Sequence, residues 1–162
     1  MRTKELTSEL TQEGAIELLE KAPMSRLAYT GIDGFPRVIP IGFYWTGDAV
    51  VMCTAVTSPK VRALSERPEV AITIDVGNTP ADATALLLRG VAVLETIDGI
   101  PDEYIAASSK ILADTEVPEF TRQVQGMYKQ MVRISITPTW ARFFDFGAGR
   151  MPRFLHDLAN QR

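Results

Sequence analysis

The sequence is poor in the residues that hold small proteins together through disulfides or metal ions. Its 162 residues include one cysteine and one histidine. A single cysteine excludes an intrachain disulfide and a cysteine-rich zinc site, and it fits a reducing compartment. We therefore expect a cytoplasmic protein that has no metal centre and rests on a hydrophobic core.

Long hydrophobic runs and an excess of positive charge are also missing. No apolar stretch approaches the roughly 18 residues that a membrane-spanning helix needs, and the first five residues are polar. The net charge of -3 argues against a non-specific nucleic-acid binder. The sequence thus predicts neither a membrane nor a nucleic acid as a partner.

What the chain does have is the composition of an ordinary globular domain. Of its residues, 46% are hydrophobic and 23% are charged. A chain of this length can bury one sizeable core. We predict a single domain over residues 1–162, in which residues 147–162 form a C-terminal tail.

Short apolar segments rich in β-branched residues recur between turn signals. The predicted strands cover residues 26–30, 36–45, 49–55, 69–76, 84–96, 130–137 and 139–146. Asp33-Gly34 is a hairpin signal, and Arg89-Gly90 predicts a bulge or an inward-facing polar site midway along a long strand. Pro36 and Pro40 place their strand at an edge, at a bulge or beside a cleft. Six or seven strands in this order favour a mainly β, α+β fold built on an antiparallel barrel.

Four helices complete the predicted fold. The first has Thr11 as its candidate N-cap and ends at Pro23. A second opens at Ser58-Pro59 and ends at Pro68. Residues 101–113 and 118–128 each begin with a proline, as helices often do.

The start of the second helix gives the strongest functional signal. A helix start presents unpaired backbone N–H groups and a partial positive charge. Polar groups that suit an anion cluster beside it, namely the hydroxyls of Thr54, Thr57 and Ser58 and the ammonium of Lys60. The combination predicts a phosphate-binding site.

Plainer interpretations of these residues stay open. Lys60 also fits a solvated charge in an ordinary first helical turn. Cys53 lies in an apolar strand and is more typical of a buried small residue than of a nucleophile. Gly147-Ala148-Gly149 lacks the third glycine of a dinucleotide fingerprint and indicates a turn. Trp140 is by default a core or interface residue.

Several segments together, in this order, resemble one known family. The segments are Pro36-Arg37-Val38-Ile39-Pro40, Val51-Met52-Cys53-Thr54, Ser58-Pro59-Lys60-Val61-Arg62-Ala63-Leu64 and Pro68-Glu69-Val70-Ala71. They resemble the FMN-binding split β-barrels related to pyridoxamine 5'-phosphate oxidase, which include FMN-dependent and F420-dependent members. The resemblance implies a six- to seven-stranded antiparallel split β-barrel with peripheral helices. It also implies a homodimer with the cofactor at the interface.

The same resemblance implies roles for individual residues. Those expected to meet the isoalloxazine ring are Arg37, Val38, Ile39 and Pro40. Those expected at the phosphate end are Thr54, Ala55, Thr57, Ser58 and Lys60. Trp140 or Arg142 would reach the cofactor held by the second subunit. No side chain is assigned a catalytic role, because a bound flavin supplies the chemistry.

Two departures from the family pattern concern the substrate. The vitamin-B6 oxidases have an F-W-Q-G turn and an R-L-H-D segment. This chain instead has Phe146-Gly147-Ala148-Gly149 and Arg153-Phe154-Leu155-His156-Asp157. The departures argue against oxidation of phosphorylated pyridoxine. We expect an FMN-dependent oxidoreductase that passes hydride to or from a small unsaturated or aromatic substrate.

Two alternative functions stay open. An F420-dependent reductase of the same fold would need basic residues for the acidic tail of its cofactor, and Arg37, Arg62 and Arg67 are candidates. A flavin- or haem-binding module without turnover is the other alternative. The colour of the purified protein separates these functions.

Overall fold

The computed structural model describes residues 1–159. Its strands are β1 (Ser25–Thr30), β2 (Pro36–Ile41), β3 (Tyr44–Trp45), β4 (Val50–Ala55), β5 (Glu69–Val76), β6 (Thr84–Asp98) and β7 (Gln130–Asp145). Its helices are α1 (Thr3–Leu10), α2 (Glu13–Lys21), α3 (Pro59–Glu66), α4 (Asp102–Ser108), α5 (Val117–Met127) and α6 (Arg153–Ala159). Within the described residues, no helix is both long and apolar enough to cross a bilayer.

The seven strands form one antiparallel sheet in the order β2-β1-β5-β6-β7-β4-β3. The core lies on the inward face of this sheet, because alternate strand residues point inward. Fully buried examples are Ile72 and Ile74 on β5 and Leu86 and Leu88 on β6. Helix α2 packs its buried leucines against the same core. The predicted mainly β fold is confirmed.

The long strand predicted over residues 36–45 is interrupted in the structure. β2 ends at Ile41, and β3 resumes at Tyr44 after Gly42 and Phe43. The phenyl ring of Phe43 is fully buried, so the chain leaves the sheet there to place this ring in the core. As its prolines predicted, β2 is an edge strand.

The two strands predicted around Pro138 are one strand, β7. Trp140 pairs with Arg89 and Pro138 pairs with Gly90, so Thr139 is an extra residue opposite that step. This register shift is the bulge predicted at Arg89-Gly90. A Cβ on Gly90 would lie 2.7 Å from the carbonyl oxygen of Thr137, which explains why glycine is needed here.

The helix boundaries differ more from the predictions. Helix α1 was not predicted, and Thr11 is its C-cap, whereas Gln12 is the N-cap of α2. The helices predicted over residues 101–113 and 118–128 are Asp102–Ser108 and Val117–Met127. The predicted C-terminal tail contains α6, and residues 160–162 lie outside the described part of the chain.

Helix α1 is tied to β7 by a buried carboxylate. The side chain of Glu9 is 8% exposed, and its oxygens accept hydrogen bonds from Arg142 Nη1 at 3.0 Å and Arg150 Nη2 at 2.7 Å. The backbone N–H of Phe143 donates a third bond at 2.8 Å. These bonds compensate the buried charge of Glu9. They also hold α1, near the N-terminus, against β7 and the segment that follows it.

Candidate functional site

Lys60 and two hydroxyls form a compact cluster where β4 leads into α3. Lys60 Nζ donates hydrogen bonds to Ser58 Oγ at 2.7 Å and to Thr54 Oγ1 at 3.1 Å. Ser58 occupies the N-cap of α3, but its side chain makes no capping bond to the backbone. Its hydroxyl therefore faces Lys60 rather than the helix start.

The ammonium of Lys60 has no acidic partner among residues 1–159. The side chain is half-buried, and desolvation lowers its pKa. Both hydroxyls can rotate their protons toward a ligand, and an ammonium has three donors. A half-buried cation beside two hydroxyls would be stabilised by an anion, so this cluster fits a phosphate group.

The other residues predicted at the phosphate end lie close along the chain. Ala55 is half-buried at the end of β4, and Thr57 is exposed in the turn that joins β4 to α3. The backbone N–H of Ser58 donates to the carbonyl of Ala55 at 3.0 Å and keeps this turn tight. All five predicted phosphate-end residues thus lie between the end of β4 and the first turn of α3.

Two strand edges near this turn lack a neighbouring strand in the described chain. β4 pairs with β7 along its whole length but with β3 only at Val50 and Val51. The other edge of residues 52–55 is therefore free of β-pairing, and β2 pairs only with β1. Free edges expose backbone donors and acceptors that a planar ligand can use.

A cleft of about 280 Å³ places part of β2 beside the start of α3. Arg37 and Pro59 both line it. The guanidinium of Arg37 is held by Asp33 Oδ2 at 2.7 Å. Val38 and Pro40 are exposed, while Ile39 is half-buried against the core. Arg37 therefore shares a cleft with the helix start, and Val38 and Pro40 lie on the opposite face of β2.

Trp140 is far from the Lys60 cluster within one chain. Thr54 pairs with Val132 on β7, and Trp140 lies eight residues further on, or about 26 Å of extended strand. The guanidinium of Arg89 stacks over the indole of Trp140, 4.4 Å from the ring centre. Arg142 is engaged by Glu9. Trp140 is thus not part of the Lys60 cluster of its own chain.

One cavity was not predicted from the sequence. We call it the α4 pocket, and it has a volume of about 190 Å³. It lies between the end of β2, the outward face of β4 and helix α4. Its lining includes Ile41, Val51, Cys53, Glu103, Tyr104 and Ala107. No local motif marks this pocket, because β4 and α4 are far apart in sequence.

The titratable groups of the α4 pocket have shifted pKa values. Burial and the charge of Glu103 raise the pKa of Cys53 to about 12, against the opposing effect of Arg133. Burial acts to raise the pKa of Glu103, but hydrogen bonds and the charge of Arg133 outweigh it and lower that pKa. Burial raises the pKa of Tyr104. At neutral pH the pocket thus presents a thiol, a carboxylate and a phenol, so Cys53 is not an activated nucleophile.

Comparisons with known proteins agree with this fold. A protein-family model described as pyridoxamine 5'-phosphate oxidase matches residues 11–137. A search of curated proteins finds no match. A solved structure of a conserved hypothetical protein from Mycobacterium tuberculosis is similar with a TM-score of 0.66 and 18% identity, over 88% of this chain and 89% of that one.

Two further solved structures are similar to the chain. One is described as an F420 reductase, with a TM-score of 0.56 and 20% identity over 81% of this chain and 98% of that one. The other is an FAD-binding protein from Mesorhizobium loti, with a TM-score of 0.52 and 16% identity over 79% and 87% of the two chains. At these identities the structures show a shared fold. The family model spans more than half of the chain, and the protein therefore belongs to the pyridoxamine 5'-phosphate oxidase family.

Proposed function

We propose that the protein is an FMN-dependent oxidoreductase that works as a homodimer on a small unsaturated or aromatic substrate. The observation that supports this most is the ammonium of Lys60, which has two hydroxyl partners and no acidic partner in the described chain. A terminal phosphate is the natural ligand for such a cluster at a helix start. Family membership adds to this support.

Different residues would bind different parts of the cofactor. Lys60, Ser58 and Thr54 would hold the phosphate, with Thr57 and Ala55 in the adjoining turn. The free edges of β2 and β4 would offer backbone groups to the flat ring. The bound flavin would supply the hydride chemistry, and the protein would position it and exclude water. We assign no side chain as an acid or base.

We favour FMN over F420, because the acidic tail of F420 would need cations beside the site. Arg67 Nη1 donates to the carbonyls of Gly31 at 2.8 Å and Ile32 at 3.4 Å, so it already holds the β1–β2 turn. Arg37 and Arg62 are paired with acidic neighbours. All three candidate arginines thus already have partners. F420 remains the second candidate, supported by the likeness to a structure described as an F420 reductase.

The absorbance spectrum of the purified protein tests this function. We expect the yellow flavin spectrum, either as purified or after addition of FMN, and bleaching under anaerobic conditions with a nicotinamide nucleotide. Preference for F420, seen as the spectrum of a bound deazaflavin, would favour the second candidate. A colourless protein that binds neither cofactor would refute both, and a haem spectrum would favour a binding module without turnover.

Substrate choice requires a separate assay. Because the turn at residues 146–149 and the segment 153–157 depart from the vitamin-B6 oxidases, we expect no oxidation of phosphorylated pyridoxine by the flavin-loaded protein. Robust formation of pyridoxal phosphate would contradict this expectation.

A further inference from the structure

The α4 pocket adjoins both strand edges that the proposed cofactor would use. Ile41 and Gly42 follow the predicted ring-contact residues of β2 directly. Cys53 of the pocket directly precedes Thr54 of the Lys60 cluster along β4, with its side chain on the opposite face of the strand. A group in this pocket would therefore lie beside a flat ring bound at the free edge of β4.

The size of the pocket limits what can enter. Its volume of about 190 Å³ is below the roughly 300–1,000 Å³ typical of sites for drug-sized ligands. Its walls include the apolar side chains of Ile41, Val51 and Ala107. One small ring or a branched aliphatic group is therefore the largest apolar body that fits.

The charged groups of the pocket are arranged asymmetrically. Arg133 Nε donates a hydrogen bond to Glu103 Oε1 at 2.8 Å, and Arg133 Nη2 lies 2.8 Å from the same oxygen. Oε2 of Glu103 is thereby left without a side-chain donor among the described residues. Both side chains are mostly buried, with 21% of Glu103 and 26% of Arg133 exposed. The pocket thus offers a free carboxylate oxygen, while its nearby cation is already paired.

Another cation in this region, Lys110, is directed elsewhere. The ammonium of Lys110 lies 3.9 Å from the ring centre of Phe43 and faces the carbonyls of Leu19 and Ala22 at 3.4 and 3.3 Å. It does not line the α4 pocket. An anionic ligand in the pocket would therefore lose its hydration without gaining a free cation, which is unfavourable.

We infer that the α4 pocket receives the reacting part of a small substrate that is neutral or cationic and donates a hydrogen bond to Glu103 Oε2. The pocket excludes phosphorylated and carboxylated analogues of the same size. This inference rests on the proposed function for its link to hydride transfer, but the binding preference itself belongs to the pocket. Glu103 is a specificity-determining residue in this view, and Arg133 positions it.

Three probes of similar size test the preference in the full-length protein: benzylamine, benzyl alcohol and benzoate. Binding is followed by amide chemical-shift changes at Cys53 and Tyr104, with and without added FMN. We expect benzylamine and benzyl alcohol to shift these signals and benzoate to leave them unchanged. Equal binding of benzoate, or shifts that map elsewhere for every probe, would overturn the inference.

Glu103→Gln separates charge recognition from simple damage to the pocket. Loss of the charged acceptor should weaken benzylamine about tenfold or more, while benzyl alcohol changes less because an amide oxygen still accepts. Benzoate should gain affinity, because Arg133 is released from its partner. A uniform loss for all three probes would contradict a recognition role for Glu103.

Gly42→Val provides an independent variant if Glu103→Gln fails to fold. A Cβ on Gly42 would meet only the side chain of Ala107, at 3.8 Å, and Gly42 lines the pocket, so a valine at this position should narrow it. All binding at the pocket should then be lost, and undiminished binding would overturn the inference. FMN binding without any probe binding would refute the pocket and leave the proposed function standing. Probe binding without flavin binding would refute the proposed function and leave the pocket preference standing.

Discussion

Lys60 combines a half-buried charge with partners that are only hydroxyls. Replacing it with methionine keeps most of the stem and removes the charge. We predict that Lys60→Met weakens FMN binding by about 1.5–3 kcal/mol, or roughly tenfold to a hundredfold. Titration calorimetry with FMN and with riboflavin measures this, and riboflavin, which has no phosphate, should bind both proteins equally.

Arg62 on the same helix serves as the matched control for Lys60. Its side chain is 75% exposed and is paired with Glu66. Arg62→Met should change FMN affinity by less than about twofold, since exposed pairs contribute little. An equal loss in both variants, or no loss in Lys60→Met, would make Lys60 an ordinary solvated helix charge.

The buried carboxylate of Glu9 supports a second prediction for a single residue. Burial acts to raise the pKa of Glu9, but the N–H of Phe143 and the charges of Arg150 and Arg142 outweigh it and lower that pKa below 4.5. A lowered carboxyl pKa adds stability above the unfolded-state value, and this stability is lost as the pH falls through the folded-state value. We expect Glu9→Gln to lower the free energy of unfolding by about 1.5–3 kcal/mol at pH 7.

Denaturant unfolding at several pH values checks the Glu9 prediction. The gap between wild type and Glu9→Gln should shrink as the pH falls from the unfolded-state pKa toward the lower folded-state pKa, because the unfolded carboxyl is protonated first and the folded carboxyl last. Glu5→Gln on the exposed side of α1 is the control and should cost about 0.5 kcal/mol or less. A gap that is independent of pH would show that the charge of Glu9 contributes nothing.

At the scale of elements, periodicity and turn residues predicted the sheet well and the helices less well. The strands of residues 49–55, 69–76 and 84–96 were predictable because apolar and β-branched runs bounded by turn residues are typical of strands. Helix α1 was not, since its residues are mostly polar and its one fully buried residue, Glu9, depends on β7. The break at Gly42 and Phe43 was missed because it depends on which side chain fills the distant core.

The bulge between β6 and β7 gives an element-level prediction. Gly90→Ala would bring a Cβ to 2.7 Å from the Thr137 carbonyl oxygen and 2.8 Å from Ile136 Cγ2. Backbone must then shift, so we expect a loss of about 1–3 kcal/mol in the free energy of unfolding.

Gly126→Ala is the opposite case for comparison. No atom lies within 4 Å of the added methyl group, and the residue is in α5. Stability should rise by about 0.5–1 kcal/mol, because alanine favours a helix more than glycine does. Both variants are compared by their urea midpoints. A tolerated Gly90→Ala would mean that the bulge adapts easily.

At the scale of the whole molecule, the sequence predicted the family and the turn that contains Lys60. It did not reveal the α4 pocket, because Glu103 meets Arg133 and the outward face of β4 only after folding. It also assigned Trp140 to the cofactor held by a second subunit, and along β7 Trp140 is well separated from the Lys60 cluster of its own chain. That assignment now depends on a dimer.

We predict a homodimer whose mass in light scattering is twice that of one chain. Val91 and Val93 on β6 are 49% and 65% exposed and would be covered by a second copy. Val93→Glu should shift the protein toward monomer, whereas Phe154→Glu on α6 should not. A wild-type monomer would remove any role for Trp140 at the cofactor.

The structure of the protein crystallised with FMN tests the central claim most directly. We predict a phosphate oxygen within about 2.7–3.2 Å of Lys60 Nζ and of the hydroxyls of Thr54 and Ser58. The ring should lie along the free edges of β2 and β4, with Trp140 of a second subunit nearby. FMN bound elsewhere, or no FMN bound while Lys60 keeps its present contacts, would contradict the account.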